Sequence, residues 1–211
     1  MDQLDSIGER IRQHLEEKNA ARERALQLSR KLIRSCSKTI RAVHRREQEG
    51  AEILLAEARG LADDLQAALV EYPELLHAGY TQSALKEFAE ASIVHHLVSG
   101  KGLPEPEALG VGYVPYLGGL AEAAGEMRRR ILDILRRDEL DEAERLLDVM
   151  DEIYGLLVTI DFPDALTNNI RRTTDMVRGV TERTRGDLTT SSQQRKLKRA
   201  LEAVEKKLNQ V

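Results

Sequence analysis

Apolar residues recur at three- and four-residue spacing through most of the chain, which is the signature of amphipathic helices. In the first stretch Leu28, Leu32, Ile33, Cys36, Ile40 and Val43 carry the period, within residues 2–47 that lack proline and contain only Gly8. This predicts one very long opening helix, interrupted at Gly50. A second helix is expected to about residue 70, with Ile53, Leu54, Ala58, Leu61, Leu65 and Leu69 facing inward. Tyr72-Pro73 ends it, because proline disfavours helical geometry in the residue before it. A third helix is expected over 81–98 and stops at Ser99-Gly100-Lys101-Gly102. One short helical turn through Ala108-Leu109 follows in the Pro104/Pro106 connection. The pattern then gives helices over 113–137, 138–160 and 164–185, the last ending at Gly186-Asp187. Ser191-x-x-Gln194 matches a capping box for a final Lys/Glu-rich helix over 188–211. No run of alternating β-branched residues occurs, so no sheet is expected, and no fixed-period repeat is visible.

Composition narrows this picture to an all-α, single-domain chain spanning 1–211. Leu, Ala, Glu, Arg and Lys dominate, and tryptophan is absent, as in long-helix bundles. Cys36 is the only cysteine, which excludes an internal disulfide framework, and its apolar neighbours mark it as a small core residue. No apolar stretch approaches the roughly 18 residues of a membrane span, and the N-terminus has no signal-peptide shape, so a cytoplasmic protein is expected.

The formal net charge of −4 offers no global case for an anionic partner. Its placement does. From Arg22 to Arg46 there are nine basic residues against one acid, Glu23. Arg30, Arg34, Lys38, Arg41 and Arg45 fall within an arc of about 80° on the helix, opposite the apolar set. Such a stripe suits a phosphate backbone, and equally a solvated face or one paired with an acidic helix. His44, beside Arg45, is a further phosphate-contact candidate.

Four glutamates stand in unusually apolar company. Glu87 and Glu90 lie three apart in the third helix, and Glu122 and Glu126 lie four apart among the small residues Gly118, Gly119, Ala121, Ala123, Ala124 and Gly125. Each pair shares a helix face, and small residues allow a neighbouring helix to approach. Two such pairs could form an all-oxygen cage for Mg²⁺ or Mn²⁺. The alternative is salt bridging, with Lys86 and Arg129 as local partners. Of two adjacent histidines, His95 lies nearer the glutamate face and His96 reads as a packing residue. No P-loop, dinucleotide fingerprint, zinc-type Cys/His spacing or nucleophile elbow is present.

Three segments, in order, resemble the translin family, and within it the translin-associated factor X branch. Residues 21–45, with Leu-Ser-Arg, Ser-Lys and His-Arg in matching order, resemble its opening helix. Residues 85–96 are similar to its glutamine-glutamate-tyrosine-valine-glutamate-alanine helix. Residues 116–129 resemble the segment in which an aspartate and a glutamate stand four apart. The resemblance covers about 20–185.

It implies a seven-helix bundle assembled into a hollow homo-oligomer, with an octamer expected, and nucleic acid held inside. For the factor X branch it implies a four-acid metal site cutting single-stranded RNA, here Glu87, Glu90, Glu122 and Glu126 with Mg²⁺ or Mn²⁺. Arg30, Arg34, Lys38, Arg41, His44, Arg45 and Arg129 would contact nucleic acid, single-stranded RNA first and single-stranded DNA second, with the basic stripe lining the cavity. Glu122 departs from the family's usual aspartate. Two alternatives stand beside a nuclease: a non-catalytic binding shell of the translin type, and a helical scaffold without a nucleic-acid role.

Overall fold

A computed structural model describes residues 2–137 and 139–209 of the chain. Among these residues the structure is all-α, with nine helices and no strand. They are α1 (Asp2–His44), α2 (Gln48–Ala67), α3 (Pro73–Leu76), α4 (Gly79–Val98), α5 (Pro106–Leu109), α6 (Tyr113–Leu135), α7 (Leu140–Thr159), α8 (Asp164–Thr167) and α9 (Ile170–Leu208). Six are long, and α3, α5 and α8 are single turns. No helix among the described residues is long and apolar enough to cross a membrane. The expected helix start at Asp138 lies outside the described residues.

The chain divides into two compact units, Met1–Gly119 and Leu120–Val211, and α6 runs without a break from the first into the second. In the first unit α1, α2 and α4 pack on one another. Leu32, Cys36 and Val43 of α1 and Ala58 and Leu65 of α2 are buried as the periodicity predicts, while Ile53 is exposed and Ala62 is buried in its place. Helix α4 is the central element. Twelve of its residues are buried, including Phe88, Ala89, Ile93 and Val94, and a helix apolar on every side belongs inside a core. Ser35 Oγ donates to the Leu54 carbonyl at 3.1 Å, tying α1 to α2. The Arg59 guanidinium lies 5.1 Å from the centre of the Phe88 ring and donates to the Leu109 carbonyl at 2.9 Å, fixing α5.

In the second unit α7 packs on α9. Leu146, Met150 and Leu157 of α7 and Val177, Val180 and Leu188 of α9 are buried. Arg130, almost wholly buried, donates from Nε and Nη2 to Glu142 Oε1 at 3.1 and 3.0 Å. Arg185 Nη2 reaches both oxygens of Asp151, at 2.6 and 2.7 Å.

The breaks differ from the sequence expectation in instructive ways. Helix α1 ends at His44 and the chain turns at Arg46, ahead of Gly50. Arg46 adopts a left-handed conformation (φ 64°), and the Glu47 N–H donates to the Ala42 carbonyl, the closing bond of a Schellman cap. Gly50 then sits inside α2. The segment expected as one helix over 164–185 is split by Asn168 and Asn169, both left-handed, which asparagine tolerates better than most residues. The stop expected at Gly186-Asp187, and the capping box after it, do not occur. Helix α9 continues through them, and Thr189 and Thr190 turn their hydroxyls back onto the carbonyls of Arg185 and Gly186, at 2.8 and 3.0 Å.

An ideal Cβ on Gly186 meets nothing within 4 Å. Gly186→Ala is therefore expected to raise stability by about 1 kcal/mol, the intrinsic helical preference for alanine. A denaturant melt of the two proteins measures it.

Candidate metal centre and basic face

The close packing of α6 on α4 begins at two glycines. A Cβ on Gly119 would stand 2.7 Å from the Glu90 backbone nitrogen and 2.8 Å from both the Ala89 Cβ and the Lys86 carbonyl oxygen. A Cβ on Gly118 would meet Lys86 Cγ at 3.0 Å. Only a residue without a side chain at position 119 lets the helix backbones approach this closely.

One turn beyond Gly119, on the same face, stands Glu122. Glu87, Glu90 and Glu122 each offer a carboxylate oxygen, and these oxygens lie within 4.8 Å of one another. Glu90 is buried, and Glu87 and Glu122 are half-buried. Lys86 Nζ stands 3.4 Å from Glu87 Oε1. Three carboxylates at this separation repel one another unless positive charge is supplied. An all-oxygen donor set of this kind fits a hard divalent cation. Two ligands across one Mg²⁺ stand about 4.2 Å apart at most, so small side-chain rotations bring the group to coordination distance.

The fourth expected acid, Glu126, is not among the converging three. Its carboxylate lies 3.7 Å from Arg129 Nη1, and Arg129 is exposed. Neither histidine joins the group. His95 is the buried one, and burial is the main cause that lowers its pKa, followed by the nearby Lys101 and His96 charges. His96 is half-buried and its Nδ1 lies 2.8 Å from the Ser92 carbonyl, the geometry of a packing bond. Cys36 is fully buried. Burial first, and then the Glu87 and Glu90 charges, push its thiol up to about 12. It is therefore a neutral core residue, as the sequence suggested, and no nucleophile.

On α1 the five stripe residues Arg30, Arg34, Lys38, Arg41 and Arg45 are all exposed. None is ion-paired with a carboxylate of its own chain among the described residues. Arg30 Nε and Arg41 Nε each donate to the carbonyl four residues back, at 3.1 Å, steadying the guanidinium against its own helix. His44 is half-buried. At 100° per residue the middle of the stripe is about 160° around α1 from Cys36. The apolar side of α1 that carries Cys36 is buried and α1 packs on α4, the helix that bears Glu87 and Glu90, so the exposed stripe lies on the other side of α1. Within one chain the two features thus do not line one surface.

The role of Gly119 is what sequence reasoning left out, while Lys86 stands beside Glu87 as the local ion-pair partner it was expected to be. The run of small residues pointed to a close helix approach, but not to which glycine bears it.

No family model matches the chain. It is 30% identical over 200 residues to the uncharacterized protein MJ0175 of Methanocaldococcus jannaschii, covering 93% of this chain and 88% of that one. Among solved structures, the crystal structure of AfC3PO is 34% identical, with a TM-score of 0.82 over 89% of this chain and 97% of that one. The structure of AfC3PO in complex with duplex RNA gives the same values. The crystal structure of apo-NeC3PO, at 20% identity and a TM-score of 0.77, shares the fold over 90% of this chain.

Proposed function

The chain belongs to the translin family, and from that premise we propose that it works in the catalytic, factor X-like branch, as a metal-dependent endoribonuclease on single-stranded RNA inside a hollow homo-oligomer of eight copies. The observation that carries this reading is the convergence of Glu87, Glu90 and Glu122 within 4.8 Å.

Glu90, buried beside Gly119, would be the fixed ligand of the site, and Glu87 and Glu122 would complete it from their half-buried positions. When bound there, Mg²⁺ or Mn²⁺ would supply Lewis acidity toward a phosphodiester and lower the pKa of a bound water. Glu126 completes the acid set when its side chain turns from Arg129, either as a fourth ligand or as the base that takes the proton from water. The stripe Arg30, Arg34, Lys38, Arg41 and Arg45, with His44 beside it and Arg129 near the acids, holds phosphates. Because the stripe faces away from the carboxylates of its own chain, it serves as a track for the strand, at a distance from the bond that breaks. AfC3PO has been seen with duplex RNA, which supports RNA as the ligand class here and makes a duplex the natural comparison substrate.

The test is incubation of the purified chain with labelled single-stranded and duplex RNA under Mg²⁺, Mn²⁺ or chelator. Cleavage that needs the metal supports the nuclease. Binding without cleavage under any divalent ion selects a translin-type binding shell. That second reading draws support from Glu126, which stands outside the converging acids. Absence of binding at low salt selects the scaffold.

The stripe carries its own expectation. Each phosphate contact to a single strand contributes a slope of about −0.7 in log affinity against log salt. Five contacts weaken binding roughly a hundredfold between about 50 and 200 mM salt. Arg34→Ala with Lys38→Ala should make the slope shallower by about 1.4, as read by a salt series of binding isotherms.

A further inference from the structure

Both ends of the described chain are bare helix. In α1 no residue from 3 to 17 is buried, and the first buried side chain is Ala25. In α9 the last buried side chain is Leu188, and none from 189 to 208 is buried. Helical segments of this length are marginal in water on their own and normally owe their stability to packing of an apolar face.

Each segment has such a face. Leu4, Ile7, Ile11 and Leu15 recur three, four and four residues apart, and Leu197, Leu201, Val204 and Leu208 recur four, three and four apart. All eight are exposed, and all but Ile7 are more than half exposed. The spacing is that of a coiled-coil seam, and both stripes extend about 16 Å along the helix axis. Their charges are opposite. Residues 5–17 hold four acids (Asp5, Glu9, Glu16, Glu17) against Arg10 and Arg12. Residues 195–208 hold six bases (Arg195, Lys196, Lys198, Arg199, Lys206, Lys207) against Glu202 and Glu205.

We propose that the first four turns of α1 dock on the last four turns of α9 of a second copy of this chain, forming a two-helix apolar seam flanked by opposite charges. Pairing α1 with α1, or α9 with α9, would set like charges along the seam, which costs specificity and stability. The contact is heterologous in its surfaces, so it can repeat around a closed ring or close reciprocally in a pair. This deepens the oligomeric part of the proposed function and rests on it, but it is independent of the metal site.

The test compares solution masses by light scattering for the full chain and two variants, Ile11→Asp/Leu15→Asp in α1 and Leu201→Asp/Val204→Asp in α9. All four positions are exposed and outside the buried core, so the thermal transition of the core should be unchanged, with any loss of helical signal confined to the bare ends. Each variant alone is expected to fall to a smaller mass. Mixed together, they should associate again, because the intact α1 of one meets the intact α9 of the other. Raising the salt should weaken the parent assembly. An α1 variant that keeps the parent mass overturns the proposal, as does a mixture that fails to associate, and in both cases the shell can still form through another face. A monomeric parent chain overturns both the seam and the shell, while metal-dependent cleavage by that monomer would leave the catalytic reading standing.

Discussion

Glu122→Ala is expected to reduce metal-dependent RNA cleavage by about a hundredfold or more, while leaving RNA affinity in the absence of metal unchanged. Loss of an outer partner that merely orients a ligand costs about 10–100-fold in metal affinity or activity, and Glu122 is one of the three carboxylates that converge among the described residues. The residue is half-buried and α6 favours alanine as a helix former, so the fold should survive. The stability change with and without metal separates a metal site from a set of salt bridges. With chelator present, the variant should stand close to the parent in stability, because removing Glu122 also removes one of the negative charges that converge there. With Mn²⁺ at about a hundred times its dissociation constant the parent should gain about 2.7 kcal/mol, and the variant much less. If the glutamates served only to pair with Lys86 and Arg129, metal would stabilise neither protein and the variant would be the weaker one under both conditions. Glu122→Asp, which restores the aspartate usual in the family, should cleave, with the shorter arm drawn in by the cation. Melts with and without Mn²⁺, beside a cleavage assay, measure all three.

The long helices were legible because their burial is one-sided and periodic. Leu32, Cys36 and Val43 on α1 and Ala58 and Leu65 on α2 announce both the element and its inner face. Helix α4 was legible in another way, since its near-absence of charge over Ala84–Val98 left Glu87 and Glu90 as the residues needing explanation. What failed was punctuation. Gly50 and Gly186 read as stops, but a glycine stops a helix only where the backbone turns left-handed, and those turns went to Arg46, Asn168 and Asn169 instead. A cap is set by which carbonyls remain to be satisfied in three dimensions, and the local sequence carries that only weakly. At the candidate site the pairing of acids on each helix could be read from spacing. Which members of the two pairs meet could not, because that depends on how far α6 slides along α4. The same limit hid the direction of the basic stripe. Periodicity places Arg30 to Arg45 on one side of α1, and only the packing of α4 against the other side shows that the stripe turns away from the acids.

Gly119→Ala should destabilise the protein by about 1–3 kcal/mol, the usual cost of overpacking a filled contact, and should weaken metal binding in step. The new methyl would come within 2.8 Å of three atoms, two of which belong to the α4 backbone. A side chain can swing aside from such an approach, but a helix backbone held on both sides by a core cannot, so α6 has to retreat. Glu122 lies one turn further along and retreats with it, away from Glu90, whose own backbone nitrogen is the nearest obstacle. The substitution therefore acts on fold and site through a single displacement. Two companions isolate the cause. Gly186→Ala makes the same chemical change inside a helix where nothing lies within 4 Å, and the intrinsic preference of about 1 kcal/mol should appear there as a gain. Gly118→Ala meets only the flexible stem of Lys86, at 3.0 and 3.1 Å, so that side chain can move and the loss of stability should be small. It would nonetheless shift the ammonium that stands 3.4 Å from Glu87. Stability falling only at 119, rising at 186 and nearly flat at 118 would show that the backbone approach of α6 to α4 controls the geometry of the acids. Equal responses at 118 and 119 would show instead that the two helices are free to adjust, and the glutamates would then owe their convergence to charge and not to packing.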